Sequence, residues 1–252
     1  MEPLTNNICK AVAALDERKH RRREGAFKAE GTKCVLDTIG HFNLRALYAT
    51  QEWLDEHPDL SGRRNVYIAT RGDMRKMSSL TTPGQVIAVY DIPERTPALT
   101  FAEDTLILAL DTIQDPGNLG TIIRVADWYG ITDIIASRET ADCFAPKVIQ
   151  ATMGSISRVN VHYCELPETI ASINAPKVYG TFLDGSDIDT TPLSPSGIIV
   201  IGNEGNGISD AVAHTVTDRI TLPSYPAGRP TGESLNAAIA TAITISKFRA
   251  RR

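Results

Sequence analysis

Hydrophobic residues switch between helical and strand spacing along this chain, and the switches outline its elements. Residues 8–15 carry the pattern IxxAVAAL, whose three- and four-residue spacing predicts a helix running on through a basic stretch to about Gly25. A second helix is expected over 35–39. Short β-type runs at 44–49, 65–69 and 85–90 alternate with polar segments at 52–56 and 73–80 that suit helices, which outlines a small α/β domain. Pro93, Pro97 and the weakly patterned residues between them read as a linker, so the expected domains are 1–97 and 98–252. The second part restarts with the apolar run 105–110 and continues with strand patterns at 133–136, 158–163, 177–182 and 219–222. Four β-branched residues at 198–201 read as a strand buried on both faces. Helices are expected at 147–153, at 168–173 and from 234 to about 249. Such alternation means a parallel sheet with helices on both faces. On the last helix Leu235, Ile239, Ala242, Ile243 and Ser246 share one face, which is expected to pack on the sheet.

Composition narrows the class. With 252 residues, 42% of them hydrophobic, the chain can build two real cores. No apolar run approaches the ~20 residues of a membrane span, and residues 1–20 lack a basic-then-apolar leader, so a cytoplasmic address with no membrane partner is expected. Cys9, Cys34, Cys143 and Cys164 are too widely spaced for a disulfide framework or a zinc site, and are expected as buried thiols with no metal. Net charge is only −4, but it is unevenly spread: residues 1–97 hold 15 Lys and Arg against 13 Asp and Glu, residues 98–252 hold 11 against 17. The run RKHRRR at 18–23 is the densest basic segment. Adjacent residues populate every face of a helix, so Lys19, Arg21, Arg22 and Arg23 are expected to meet nucleic-acid phosphates.

Three turns concentrate the candidate chemistry. In the first, after 105–110, Pro116 and Gly117 are read as the turn and Asn118 as the N-cap of a helix carrying Arg124 and Trp128. The second, GNEGNG at 202–207, offers close backbone approach and outward N–H groups around Glu204. A nicotinamide fingerprint would open the first βαβ unit and be followed about 20 residues later by an acid; this turn comes late and holds its own acid. The third is a Pro/Gly-rich loop at 222–236 in which Ser234 is expected to cap the last helix and Asn236 to lie in its first turn.

Asn118-x-Gly120-x-x-x-Arg124, Gly202-Asn203-Glu204-Gly205 and Ser234-Leu235-Asn236 resemble, in order, the three signature motifs of the SpoU (TrmH-like) RNA ribose 2'-O-methyltransferases of the SPOUT superfamily. The likeness spans 105–249. The N-terminal stretch around Lys19, Arg22, Phe27, Glu30 and Gly31 resembles the start of the L30e-like substrate-binding domain that precedes many of these enzymes. The resemblance implies a parallel-sheet α/β domain tied in a deep trefoil knot, against the usual rule that chains do not thread loops. It implies S-adenosylmethionine held by Thr181, Gly202, Leu222 and Leu235, and a catalytic set of Asn118, Arg124, Glu204 and Asn236. It implies also a homodimer in which Arg124 acts across the interface, with Trp128 on the same helix either at that interface or in the core. The loop at 223–234 departs from the usual form by being longer.

Methyl transfer from a sulfonium to a ribose hydroxyl is an in-line displacement, so catalysis rests largely on alignment. A guanidinium stays protonated in proteins, which suits Arg124 as a phosphate clamp rather than a base. Glu204 is expected to orient Arg124 or Asn118, and Asn236 to position the ribose. The expected substrate is ribosomal RNA. A tRNA enzyme, a resistance methylase, a catalytically silent RNA-binding protein and a nicotinamide oxidoreductase are the rival readings.

Overall fold

The computed structural model describes residues 4–94, 104–226, 232 and 234–250. Residues 95–97 of the expected linker lie outside them, as do residues 227–231 and 233 of the third turn. The chain divides into two compact units, Met1–Glu94 with Asp142–Ser157, and Arg95–Ala141 with Arg158–Arg252.

The first unit runs α1 (Asn6–Ala14), α2 (Arg18–Glu24), β1 (Ala26–Glu30), α3 (Thr32–Thr38), β2 (Leu44–Ala49), α4 (Gln51–Glu56), α5 (Pro58–Ser61), β3 (Val66–Ile68), α6 (Arg71–Met77) and β4 (Val86–Asp91). Its sheet has the order β1-β4-β2-β3, with β2 and β3 parallel and the other pairs antiparallel. The single helix expected over 8–25 is two helices. Arg21 explains the break: its Nη1 donates to the carbonyls of Leu15 and Asp16, both at 2.8 Å, which satisfies backbone acceptors released where α1 ends. Gly25, at φ 57°, closes α2 in the left-handed region that suits glycine.

Strand β1 was not expected, because AFKAE reads as polar. All five of its residues are nevertheless buried. Lys28 is tolerated there by Asp16 at 2.9 Å, Glu30 at 3.0 Å and the carbonyl of Met77. Burying a charge is costly unless it is paired and hydrogen-bonded in this way. Phe27 gathers Phe42, Tyr90 and Phe144 around it, with ring centroids at 5.1, 5.4 and 4.6 Å. Phe144 reaches this cluster from the Asp142–Ser157 segment, whose helix α8 (Pro146–Thr152) packs on β1. Cys9, Cys34 and Cys143 are buried thiols and Cys164 is half-buried. Burial pushes the Cys34 thiol up to about 12.

The second unit comprises β5 (Leu106–Leu110), α7 (Pro116–Trp128), β6 (Asp133–Ala136), β7 (Asn160–Tyr163), α9 (Leu166–Ile173), β8 (Val178–Asp187), β9 (Gly197–Ile201), α10 (Asp210–Ala213), β10 (Asp218–Thr221) and α11 (Ala237–Arg249). Its six strands are all parallel in the order β10-β8-β9-β5-β6-β7, the parallel α/β sheet that the alternating pattern predicts. Strands β5 and β9 are buried at every position. Helix α11 differs from expectation in two ways. Its cap is Asn236 rather than Ser234, and the face with Leu235, Ile239 and Ile243 is exposed, while Ala238, Thr241, Ile245 and Phe248 turn inward.

Candidate functional site

Leu110 pairs with Ile201, so the chain leaves β5 and β9 side by side at their C-terminal ends. This is where open parallel sheets bind ligands. Asp111, only 4% exposed, accepts the Ser209 N–H at 2.7 Å and the Thr112 hydroxyl at 3.1 Å. The Thr112 carbonyl accepts Asn203 Nδ2 at 2.9 Å, and Asn203 Oδ1 accepts the N–H groups of Gly205 and Asn206 at 2.9 and 3.2 Å. First and second turns are thereby sewn together. Sequence reasoning passed over Asp111 and Asn203 as holding residues, although an acid placed directly after a buried strand was the available signal.

In the first turn the N-cap is Asp115, which accepts the Asn118 N–H at 2.8 Å, and Pro116 begins the helix. Expectation had Asn118 as cap and Pro116 with Gly117 as turn; proline's fixed φ and missing N–H place it better at the first helical position. The Asn118 side chain is therefore free to point elsewhere. It donates through Nδ2 to Glu204 Oε1, and its Oδ1 accepts Asn236 Nδ2 at 2.9 Å. Asn236 Oδ1 caps α11 by accepting the Ala238 and Ile239 N–H groups at 3.0 and 3.3 Å.

The polarity of this chain follows from its far end. Backbone N–H groups only donate, so they require the Asn236 oxygen; its NH2 then faces Asn118 and requires an oxygen there; the Asn118 NH2 then faces Glu204 and requires an acceptor. Glu204 Oε1 is thus fixed as an acceptor, and it accepts the Ala237 N–H at 3.4 Å as well. Three of the four expected catalytic side chains meet here. Arg124 does not: it is exposed on α7 and has no ion-pair partner among the described residues.

Beside the relay opens a cleft of about 490 Å³ lined by Thr181, Gly202, Leu222 and Leu235 together with Glu204. Arg124 is not among its lining residues. A Cβ on Gly202 would sit 2.3 Å from the carbonyl carbon of Gly207, so glycine is required by the turn's own backbone as well as by any ligand. Among the described residues no cluster of His, Cys, Asp or Glu could hold a metal ion, and no helix is long and apolar enough to cross a membrane.

The basic helix needs a correction. Arg21 is 3% exposed, with Nε and Nη2 donating to Asp142 Oδ2 at 3.0 and 2.7 Å, so it is a structural ion pair and not a phosphate contact. A seven-residue helix packed in a domain must turn one face inward, and Arg21 lies on it. Lys19, Arg22 and Arg23 are exposed; Lys19 pairs with Glu17 at 2.8 Å and Arg23 with Glu24 at 2.9 Å.

The fold, the turns and the relay define a class, and comparison with known proteins agrees with it. Residues 105–246 match the family model described as the SpoU rRNA methylase family, and residues 6–88 match the MRM3-like substrate binding domain. The chain belongs to the SpoU rRNA methylase family. It is 29% identical over 252 residues to the 23S rRNA (guanosine(2553)-2'-O)-methyltransferase RlmP of Bacillus subtilis, covering 99% of this chain and 98% of that one. It is 30% identical over 257 residues to the 23S rRNA (uridine(2479)-2'-O)-methyltransferase of Streptomyces viridochromogenes, covering 95% and 88%. Among solved structures, a TrmH-family protein from Porphyromonas gingivalis superposes over the full length of both chains with TM-score 0.89 and 39% identity. An AdoMet-bound rRNA methyltransferase from Sinorhizobium meliloti superposes with TM-score 0.86 and 29% identity, over 99% of this chain and 97% of that one.

Proposed function

We propose that this protein transfers a methyl group from S-adenosylmethionine to a ribose 2'-hydroxyl of ribosomal RNA. One observation carries the reading: the Asn236–Asn118–Glu204 relay stands beside a cleft of cofactor size in a chain of this family. The cleft suits the cofactor, since its volume lies in the range of small-molecule sites and it offers apolar walls at Leu222 and Leu235 with a glycine backbone at Gly202. Thr181, Gly202, Leu222 and Leu235 would hold it. When bound, it supplies an electrophilic methyl.

Glu204, committed to Asn118 and the α11 N-terminus, orients amides rather than abstracting a proton. Asn118 and Asn236 present a fixed edge for the ribose. Arg124, through its guanidinium, clamps the target phosphate and stabilises the developing alkoxide. Lys19, Arg22 and Arg23 grip RNA from the N-terminal domain, 1–97, while 98–252 carries the chemistry, with segment 142–157 lending its fold to the former. Ribosomal RNA is favoured over tRNA by the 23S rRNA targets for which both of these relatives are named. Those targets are different nucleotides, so the methylated position is this chain's own.

Several further features belong to the same reading. The strand order β10-β8-β9-β5, in which β10 lies beside β8 rather than β9 and β9 lies beside the much earlier β5, supports the trefoil knot. A homodimer is supported by Trp128, 84% exposed one turn beyond Arg124, and by Leu235, Ile239 and Ile243 exposed on α11, which packs against α7. Sharing sites across such a dimer accounts for Arg124 lying apart from its own chain's cleft. A ribosomal substrate and the bacterial full-length relatives support a cytoplasmic location. The test is to map ribose methylation in ribosomal RNA from cells with and without the gene, and to restore the missing methyl with purified protein and S-adenosylmethionine. Identical methylation maps, with no transfer to deproteinised ribosomal RNA in vitro, would reject the function.

A further inference from the structure

With Arg21 buried and Lys19 and Arg23 already paired, the N-terminal unit has less free positive charge on α2 than its sequence advertises. The same holds elsewhere in that unit: Arg45 pairs with Asp91, Arg71 with Glu52 and Lys76 with Asp73. Arg63 and Arg64 are exposed and without a carboxylate partner among the described residues, as are Lys10, Arg18, Arg22, Lys33 and Arg75, but these two are adjacent and lie in the short connection between α5 and β3.

That connection leads directly into Val66-Tyr67-Ile68, the edge strand of the sheet. Tyr67 is 39% exposed, and no other Phe, Tyr or Trp among the described residues of this unit is exposed. Its ring is not loose. It stacks on Tyr48, its register partner on β2, with centroids 5.5 Å apart and planes 24° from parallel. Tyr48 is itself 7% exposed and belongs to the core with Cys9, Val12 and Met74. One face of Tyr67 is thus anchored through Tyr48 to the interior while the residue keeps solvent access.

An aromatic ring fixed in orientation at a sheet edge, preceded within four residues by two unneutralised guanidiniums, is the combination that binds single-stranded nucleic acid. The ring stacks an unpaired base and the arginines meet the flanking phosphates. We propose that Arg63, Arg64 and Tyr67 form a contact site for a single-stranded segment of the RNA substrate, separate from the basic helix α2. This rests on the ribosomal RNA reading given above. Ring anchoring through Tyr48 lowers the ordering cost of the contact, since little rotamer freedom is left to lose on binding.

The probes are deproteinised ribosomal RNA and a labelled single-stranded oligouridylate, titrated with the full-length protein over a range of KCl concentrations. Tyr67→Ala should weaken binding of both by about tenfold or more, and Tyr67→Phe should restore it, because stacking needs the ring and not the hydroxyl. Arg63→Gln with Arg64→Gln, which touches no core residue and leaves folding intact, should reduce the slope of log affinity against log salt by about 1.4, at about 0.7 per single-strand phosphate contact. Affinity for S-adenosylmethionine should stay at the wild-type value in all three. Unchanged RNA affinity and salt slope in the arginine variant would overturn the proposal while leaving the methyltransferase reading intact. Loss of binding to intact ribosomal particles but not to the two RNA probes would overturn it in favour of a protein partner. A wild-type protein that binds neither RNA probe would overturn both.

Discussion

Asn236 holds two jobs that a conservative substitution separates. Its oxygen caps α11, and its NH2 sets the direction of the relay to Asn118 and Glu204. Aspartate caps a helix as well as asparagine does, but it has no donor. Asn236→Asp should therefore leave the thermal midpoint within about 2 °C of wild type while lowering kcat by about 10- to 100-fold. Calorimetry and steady-state methyl transfer would read the two effects; wild-type turnover would show that relay polarity is not used. Asn236→Ala could not make this distinction, since it removes the cap at a cost of about 1 kcal/mol as well. All three relay residues were legible in the sequence through their motifs. Their connections were not, because Asn118 reads as a cap until Asp115 is seen occupying that position.

Helix α11 shows where periodicity misleads. Leu235, Ile239, Ala242, Ile243 and Ser246 form a plausible buried stripe, yet the buried positions are Ala237, Ala238, Thr241, Thr244, Ile245 and Phe248. Thr241 can lie inside because its hydroxyl donates to the Ala237 carbonyl one turn back at 2.7 Å, so a polar residue is satisfied within its own helix. Small residues let the backbone approach its neighbours and leave the larger side chains of the other stripe outside. If that outer stripe meets a second copy of the chain, Ile239→Asp combined with Ile243→Asp should halve the mass seen by sedimentation equilibrium with the far-ultraviolet spectrum unchanged. A mass that does not change would place the dimer contact elsewhere. Strand β1 was lost to the sequence for the complementary reason: Lys28 and Glu30 interrupt the apolar pattern, and only their mutual pairing inside the fold makes them admissible there.

At the scale of the whole molecule, the separation of Arg124 from the cleft is tested by subunit mixing. Arg124→Ala removes the proposed clamp, and Gly202→Val forces the turn apart, because its Cβ would already lie 2.3 Å from Gly207. Each homodimer should be inactive. Random exchange makes half the dimers mixed, each with one site that combines an intact cleft and the partner's intact arginine, so activity should return to about a quarter of wild type. No recovery despite demonstrated exchange would mean that Arg124 serves its own chain. The parallel sheet and its order of motifs were readable from sequence, whereas the composition of the first unit was not. Nothing in the pattern at 142–157 announces that Asp142 will neutralise Arg21 or that Phe144 will sit 4.6 Å from Phe27. Yet that segment lies inside the stretch matched by the methylase family, 105–246. The two units are therefore not interchangeable cassettes. A recombination that replaced only the N-terminal part would strip Arg21 and Phe27 of their partners. A new RNA-recognising head has to arrive with a matching change in the middle of the enzyme's own gene segment, which ties the drift of substrate choice to that of the catalytic body.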